Sequence, residues 1–252
     1  MAPDRHAVIK PQQIRRDERL ALGIVFGAVG AALFASLFVA LSPSVVPKGV
    51  LTPPRVIPEA HRADLAIDVE AAITTAHAAA LRADEAATEA EALVARVRAG
   101  RGRNGVTYAR LTLPDGKAYE GEANNGAPEG VGVMRGGVLA FAAGFFVGGV
   151  RSGPGADCAQ ADCKGASYFG DFRANAPTGA ARVSFADGAV YRGDVRDGAP
   201  DGFGELTRPD GSQYAGAFTA GRRDGHGAET SSSGVARRGF WTADQLSEPS
   251  PS

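Results

Sequence analysis

Residues 191–227 read YRGDVRDGAPDGFGELTRPDGSQYAGAFTAGRRDGHG, and this stretch decides the fold. It holds two copies of one unit, the first starting at Tyr191 and the second at Tyr214, 23 residues later. With each tyrosine as position zero, glycines follow at offsets 2, 7, 11 and 13 in both copies. These glycines are Gly193, Gly198, Gly202 and Gly204, then Gly216, Gly221, Gly225 and Gly227. Self-similarity at a fixed period of this length is the sequence signature of a repeat architecture.

The same spacing extends toward the N-terminus and defines further copies. Copy one starts at Tyr119, copy two at Ala142, copy three at Tyr168, copy four at Tyr191 and copy five at Tyr214, and a partial copy six starts at Arg237. Copies one and two keep all four glycines, although copy two lacks the tyrosine. Copy three carries Asn175 at offset 7 and Ala181 at offset 13.

Turn chemistry explains the spacing. Asp-Gly pairs precede three of the tyrosines by four residues, at Asp115-Gly116, Asp187-Gly188 and Asp210-Gly211. Asp-Gly is typical of the type I′ hairpin turn, in which both central residues have positive φ. In copies one to five, offset 7 holds only Gly or Asn, the residues that enter the left-handed region at low cost, and this predicts a second turn. The sequence therefore predicts a mainly β meander with two short strands in each copy.

This pattern resembles the MORN repeat (membrane occupation and recognition nexus), which runs Tyr-x-Gly, Gly-x-Gly and then Asp-Gly-x-x-Tyr. The resemblance covers residues 105–241 and is strongest in the copies that start at Tyr119, Tyr191 and Tyr214. It implies a single-sheet stack of β-hairpins. Proteins of this family often organise membranes or dock other proteins, so the resemblance also implies a binding role.

One step in the repeat is too long. Ala142 and Tyr168 lie 26 residues apart, and the excess falls in ADCAQADCKG, where other copies turn through Asp-Gly. Cys158 and Cys163 stand on opposite arms of this lengthened turn. We predict that they form a disulfide, since close thiols in an exported segment tend to oxidise. A metal pair is the alternative, but the sequence offers no second pair of ligands.

The aromatic residues at offsets 0 and 4 share one face of the sheet by the period-two rule. They are Tyr119, Tyr168, Tyr191, Tyr214, Phe172 and Phe218. One interpretation makes them a binding face, and the other makes them the core of the stack.

A long Ala-, Glu- and Arg-rich stretch over residues 59–99 predicts a helix, with Pro58 before it and Gly100 after it. Its heptad positions are apolar throughout: Val69, Ala76, Ala83, Ala90 and Val97 in one series, and Leu65, Ala72, Ala79, Ala86 and Leu93 in the other. This pattern predicts a coiled coil and a homo-oligomer through residues 65–97. The alternative is a single helix whose apolar stripe packs on the chain's own sheet.

Residues 20–41 carry no charge, and 22 residues at about 1.5 Å each are long enough to cross a bilayer as a helix. A cleaved signal peptide is the alternative. More basic residues precede this segment than follow it, which predicts a single-pass anchor with residues 1–19 in the cytoplasm and the repeats outside. Residues 42–58 are a Pro-rich linker, and residues 242–252 are predicted to be a disordered tail.

The 27 basic and 28 acidic residues nearly cancel, which argues against nucleic-acid binding. The four histidines are dispersed, at His6, His61, His77 and His226, so no metal site is expected. The serines lie in no nucleophile elbow, and we expect neither an enzyme nor a cofactor.

The sequence thus predicts an anchored scaffold in the bacterial inner membrane that presents its repeats in the periplasm to a protein partner or to an envelope assembly. The alternative function is binding of lipid headgroups or cell-wall polysaccharide by the repeat face.

Overall fold

A long helix precedes an antiparallel sheet in which neighbouring strands follow one another in chain order. The computed structural model describes residues 59–100, 107–137 and 139–250, and helix side chains from residue 68 onward. Within these residues the helix α1 spans Glu59–Arg98. The strands are β1 (Tyr108–Thr112), β2 (Ala118–Asn124), β3 (Ala127–Arg135), β4 (Phe141–Val147), β5 (Val150–Cys158), β6 (Ser167–Arg173), β7 (Ala176–Ser184), β8 (Val190–Arg196), β9 (Ala199–Thr207), β10 (Gln213–Thr219), β11 (Arg222–Thr230), β12 (Ala236–Thr242) and β13 (Gln245–Pro249). The predicted single-sheet stack of hairpins is confirmed.

Each of copies one to five supplies one hairpin. Its first strand has seven residues and its second has nine. Copy six supplies β12 and β13, which pair with each other. The disordered tail predicted for residues 242–252 is therefore wrong for Gln245–Pro249, because the unit at Arg237 continues the ladder by one more strand.

The two turn types are the reverse of the sequence prediction. The type I′ geometry lies at offsets 6 and 7, where both residues have positive φ, as in Asp197 (50°) and Gly198 (82°). In the Asp-Gly turns the glycine has positive φ, as in Gly188 (88°), but the aspartate does not. The Asp187 carboxylate accepts a hydrogen bond from the Ala189 amide at 3.0 Å. This local bond favours a type I turn followed by a left-handed glycine.

Glycines at offsets 2 and 13 have a steric reason. They face each other across the hairpin, as Gly193 does Gly204, and the ring of Tyr191 lies over them. A Cβ atom added to Gly204 would stand 2.5 Å from the Tyr191 hydroxyl oxygen. Copies one, four and five therefore need glycine here because the tyrosine occupies the space of a side chain.

Helix α1 lies across one face of the sheet and contacts β3 to β12. Residues 68–98 span about 46 Å at 1.5 Å per residue, and nine strand intervals of 4.8 Å span about 43 Å. The two lengths agree, so the helix runs roughly perpendicular to the strands.

The apolar stripe of α1 faces the sheet. Its buried residues are Val69, Ala72, Ala76, Ala79, Ala80, Ala83, Ala87, Ala90, Leu93, Val94 and Val97. Toward the C-terminal end, Leu93 and Val97 share a core with Val133, Phe141 and Phe169. The coiled-coil prediction is wrong for residues 69–97, because the chain's own sheet covers the seam, and the alternative of packing on that sheet is confirmed.

Ion pairs line both flanks of the docked helix. Asp84 accepts from Arg192 at 3.0 Å, and Arg82 lies 3.4 Å from Asp194. Glu91 pairs with Arg182 and Glu70 with Arg238. Such exposed pairs contribute little energy each, but together they specify the register of the helix on the sheet.

Gly100 has a φ of 63° and follows the last helical turn, as predicted for a helix C-cap. The predicted transmembrane segment 20–41, the linker 42–58 and the N-terminal segment 1–19 lie outside the described residues. Within the described residues, no helix has the length and apolar character needed to cross a bilayer.

Candidate functional site

The face of the sheet opposite the helix, here called the tyrosine face, is built from four rows of side chains. Residues at offsets 0 and 15 of a copy pair across its hairpin, as Tyr191 and Leu206 do. Residues at offsets 4 and 9 pair in the same way, as Val195 and Pro200 do. Paired residues share a face, so these four rows form one surface.

All six aromatic residues of the predicted binding face are buried. Tyr119, Tyr168, Tyr191, Tyr214, Phe172 and Phe218 are 0–6% exposed. Each tyrosine meets the aromatic ring of the next copy edge-on where one is present, at 5.0 Å for Tyr191 and Phe218. These contacts fit the core interpretation, because the rings pack on one another inside the stack.

The tyrosine hydroxyls are also satisfied within the repeat. Each donates to the carbonyl oxygen three residues ahead, at 2.6 Å for Tyr119 and 2.8 Å for Tyr191. Burial raises the pKa of Tyr168 and Tyr191 well above the ordinary value. These phenols stay neutral and act as structural hydrogen-bond donors.

Offsets 9 and 15 change together along the stack. Where offset 9 is proline, offset 15 is apolar: Pro128 with Met134, Pro177 with Val183, and Pro200 with Leu206. Where offset 9 is arginine, offset 15 is acidic: Arg151 with Asp157, and Arg223 with Glu229. Both arginines form ion pairs with those acids, at 2.5 and 2.6 Å.

The arginines also stack on aromatic rings. The guanidinium carbon of Arg151 lies 4.0 Å from the centre of the Phe172 ring, and that of Arg223 lies 4.3 Å from the Trp241 ring. Because the ring faces attract the cation, each ion pair is held against the core. At offsets 9 and 15, the tyrosine face is therefore polar at copies two and five and apolar at copies one, three and four.

A partly enclosed groove of about 130 Å³ lies within the apolar part. We call it the apolar groove and define it by Phe185, Ala189, Tyr191, Pro200, Leu206 and Phe218. Asp187 and Arg208 add one charge of each sign, and the exposed Ala186 lies in the turn beside them. An empty apolar site of about 150 Å³ holds a small aromatic molecule, so this groove has room for one large apolar side chain.

One copy further, Arg223 and Glu229 take the places of Pro200 and Leu206. Glu229 binds Arg237 in addition and lies 3.4 Å from Arg208. Burial alone raises the pKa of Glu229. The hydrogen bond from Arg237 and the charge of Arg223 together lower it by more, so the net pKa lies below the ordinary value. Glu229 is therefore a charged partner of three arginines at neutral pH.

The disulfide between Cys158 and Cys163 is present. Cys158 ends β5 inside the core under the helix, and Cys163 follows in the turn with a φ of 58°. No group of three or more His, Cys, Asp or Glu in the described part of the chain is arranged to hold a metal ion.

The sequence interpretation proposed the rows at offsets 0 and 4 as a binding face. The apolar groove includes Tyr191 and Phe218 from those rows, and it adds Pro200 and Leu206, at offsets 9 and 15. The sequence does carry a signal for these two rows. Along the copies, proline at offset 9 with an apolar residue at offset 15 is exchanged for arginine with an acidic residue.

Comparison with known proteins agrees with this geometry. The MORN repeat family model matches residues 119–137, 191–213 and 214–235. No curated protein matches the chain. The chain thus contains MORN repeats, and the matched segments belong to copies one, four and five.

Proposed function

We propose that this chain is a scaffold, anchored in the membrane by residues 20–41, whose MORN stack binds a protein partner outside the membrane. The apolar groove carries this proposal. It lies between strands of one continuous sheet, so its walls are preorganised and little conformational entropy is lost on binding.

The opposite face of the sheet is covered. Helix α1 buries its alanine stripe there, so the tyrosine face is the broad surface left for a partner. On this face copies two and five present hydrogen-bonded ion pairs, whereas the groove presents Leu206, Pro200 and Phe185. We expect the partner to insert one large apolar side chain at this point.

Charge favours a protein over an anionic membrane surface. The whole chain has 27 basic and 28 acidic residues, and the arginines of the tyrosine face are paired with Asp157 and Glu229. Attraction of anionic headgroups requires unpaired basic clusters.

Ala186→Arg tests the groove directly, because residue 186 is exposed in a turn and lies at the groove. Ser232→Arg is the matched control, since Ser232 occupies the same turn position two copies later and is also exposed. After crosslinking in cells and detergent extraction, we expect partners captured by the wild type and by Ser232→Arg to be lost with Ala186→Arg. Recovery of the same partners with Ala186→Arg would overturn the groove as their docking site.

Two further measurements test the anchor and the alternative ligands. A reporter fused to the C-terminus should be active outside the cytoplasm, and activity in the cytoplasm alone would contradict the topology. Pelleting of the full chain in detergent with purified sacculi, or its binding to anionic vesicles, would instead favour polysaccharide or lipid headgroups as ligands of the tyrosine face if Ala186→Arg abolishes that binding.

A further inference from the structure

A second cavity lies on the helix-covered face, next to the disulfide turn. It has a volume of about 430 Å³, within the usual range of about 300–1,000 Å³ for small-molecule sites. Four elements form its walls: the last turns of α1, strands β6 and β7, and the turn between β5 and β6. We call it the disulfide cleft.

The turn that closes the cleft is the departure from the repeat. It belongs to the step of 26 residues between copies two and three, where other steps have 23. The disulfide pins its base, and Arg98 of the helix donates to the Ala161 carbonyl oxygen at 2.9 Å. Asp162 accepts from the Lys164 amide at 3.1 Å. The disulfide and the Asp162 bond thus fix the shape of the turn, and Arg98 ties the turn to the helix as a wall of the cleft.

The cleft lining mixes donors and acceptors. Arg98 and Arg182 supply guanidinium N–H donors, Glu91 and Asp162 supply carboxylate acceptors, and Ser167 and Ser184 supply hydroxyls that do both. Ser167 and Ser184 pair across β6 and β7, so their side chains lie on the same face of the sheet, and the Ser167 hydroxyl donates to the Gly165 carbonyl oxygen at 3.2 Å.

This inventory decides the class of ligand. The two arginines and two carboxylates cancel in charge, so the cleft has no excess for a multivalent anion. Glu91 pairs with Arg182, and Arg98 donates to the Ala161 carbonyl oxygen. A guanidinium has five N–H donors and a carboxylate has about four lone pairs, so each keeps hydrogen-bonding capacity that a polar ligand can use and an apolar ligand cannot. A sugar hydroxyl both donates and accepts, so adjacent hydroxyls can use a guanidinium and a carboxylate together. Phe169 and Val94 supply apolar surface for the C–H side of a sugar ring.

We propose that the disulfide cleft binds a saccharide unit. Arg182 is central to this site, because its guanidinium lies between Glu91, with which it pairs, and the Phe169 ring, 5.5 Å from the ring centre. The cleft lies on the opposite face from the apolar groove. Its ligand is therefore independent of the protein partner proposed above, and Ala186→Arg leaves it unchanged.

The test measures saturation-transfer NMR on the full chain in nanodiscs. The probes are N-acetylglucosamine, at millimolar concentration, and glucuronate, which is a charged saccharide. Ser184→Trp fills the cleft, and Thr207→Trp is the matched control at the same strand position one copy later. We expect Ser184→Trp to reduce the transfer signal about tenfold, the effect of losing about 1.4 kcal/mol of binding, while Thr207→Trp leaves it unchanged. Sodium sulfate should not compete.

The double variant Cys158→Ser, Cys163→Ser is a second test, because it removes the disulfide that fixes the turn while it keeps the polar side chains of the cleft. Its transfer signal should fall several-fold although the near-UV circular dichroism of the tyrosine core is retained. The proposal would be overturned if neither saccharide received transfer from the wild type. An undiminished signal with Ser184→Trp, or displacement of the saccharide by sulfate, would also overturn it.

Discussion

Arg151 and Asn175 lie in consecutive copies and bond each other twice. The Arg151 amide donates to Asn175 Oδ1 at 2.8 Å, and the Asn175 amide donates to the Arg151 carbonyl oxygen at 3.0 Å. Arg223 and Asp244 repeat this arrangement in copies five and six, at 3.0 and 2.9 Å. Where offset 9 is proline, the residue in the facing position is glycine, as Gly198 is for Pro177. Proline has no N–H, so it needs no acceptor, whereas arginine does.

This relationship predicts different costs for two exchanges at offset 7. Asn175→Gly removes the acceptor of the Arg151 amide and should lower the free energy of unfolding by about 1–2 kcal/mol, although glycine adopts the left-handed conformation more easily. Gly198→Asn faces Pro177 and should cost less than about 1 kcal/mol, since asparagine tolerates positive φ. Urea denaturation measures both. An Asn175→Gly protein as stable as the wild type would contradict the account.

Arg223, Glu229 and Asp244 should be exchangeable as a set. Glu229→Leu alone leaves Arg208, Arg223 and Arg237 without their shared carboxylate and should cost about 2–4 kcal/mol. Adding Arg223→Pro and Asp244→Gly installs the set found in copies three and four and should restore more than half of that loss. Equilibrium unfolding of the single and triple variants measures the coupling.

The control for this exchange is Glu205→Leu. Glu205 pairs with the exposed His77 at 3.1 Å, so its replacement should change stability by less than about 1 kcal/mol. Equal losses for the triple variant and for Glu229→Leu would show that the positions are not coupled.

Acid should weaken the fold partly through Glu229. The net pKa of Glu229 in the folded chain lies below its ordinary value of 4.5. A carboxylate with a lowered folded pKa stabilises the fold fully above its unfolded pKa and loses that contribution as the pH falls through the folded pKa. The melting temperature of the wild type should therefore drop more steeply below pH 4.5 than that of Glu229→Gln. Equal slopes for the two proteins would exclude this role.

Docking of α1 can be tested with two leucines of one helix. Leu93 is 6% exposed and packs on the sheet, whereas Leu81 is 55% exposed. Leu93→Ala should cost about 2–4 kcal/mol through lost burial and a residual cavity. Leu81→Ala should change stability by less than about 0.5 kcal/mol. Thermal or chemical unfolding measures both, and similar losses at the two sites would argue against the docked helix.

Local chemistry made much of the fold predictable. Gly198 and Asn175 marked left-handed turns, Cys158 and Cys163 marked a pinned insertion, and Gly100 marked the end of the helix. The turn at Asp187-Gly188 was assigned the wrong type, because composition does not reveal that the aspartate side chain binds the amide two residues ahead. The apolar groove was predicted only in part. Tyr191 and Phe218 were candidates, but Pro200 and Leu206 were not, because residues of different copies come together only in the sheet.

By itself, the sequence determined the repeat length, the order of hairpins and the face on which the tyrosines lie. These depend on backbone conformations and alternations within a single copy, which neighbouring residues encode. The tertiary structure decided what the alanine stripe of α1 packs against and which rows remain open. An apolar stripe such as Ala76 to Ala90 fits a second helix as well as a sheet, since burial is non-directional. The sheet prevails because its own apolar surface, around Val133 and Phe169, is joined to the helix in the same chain.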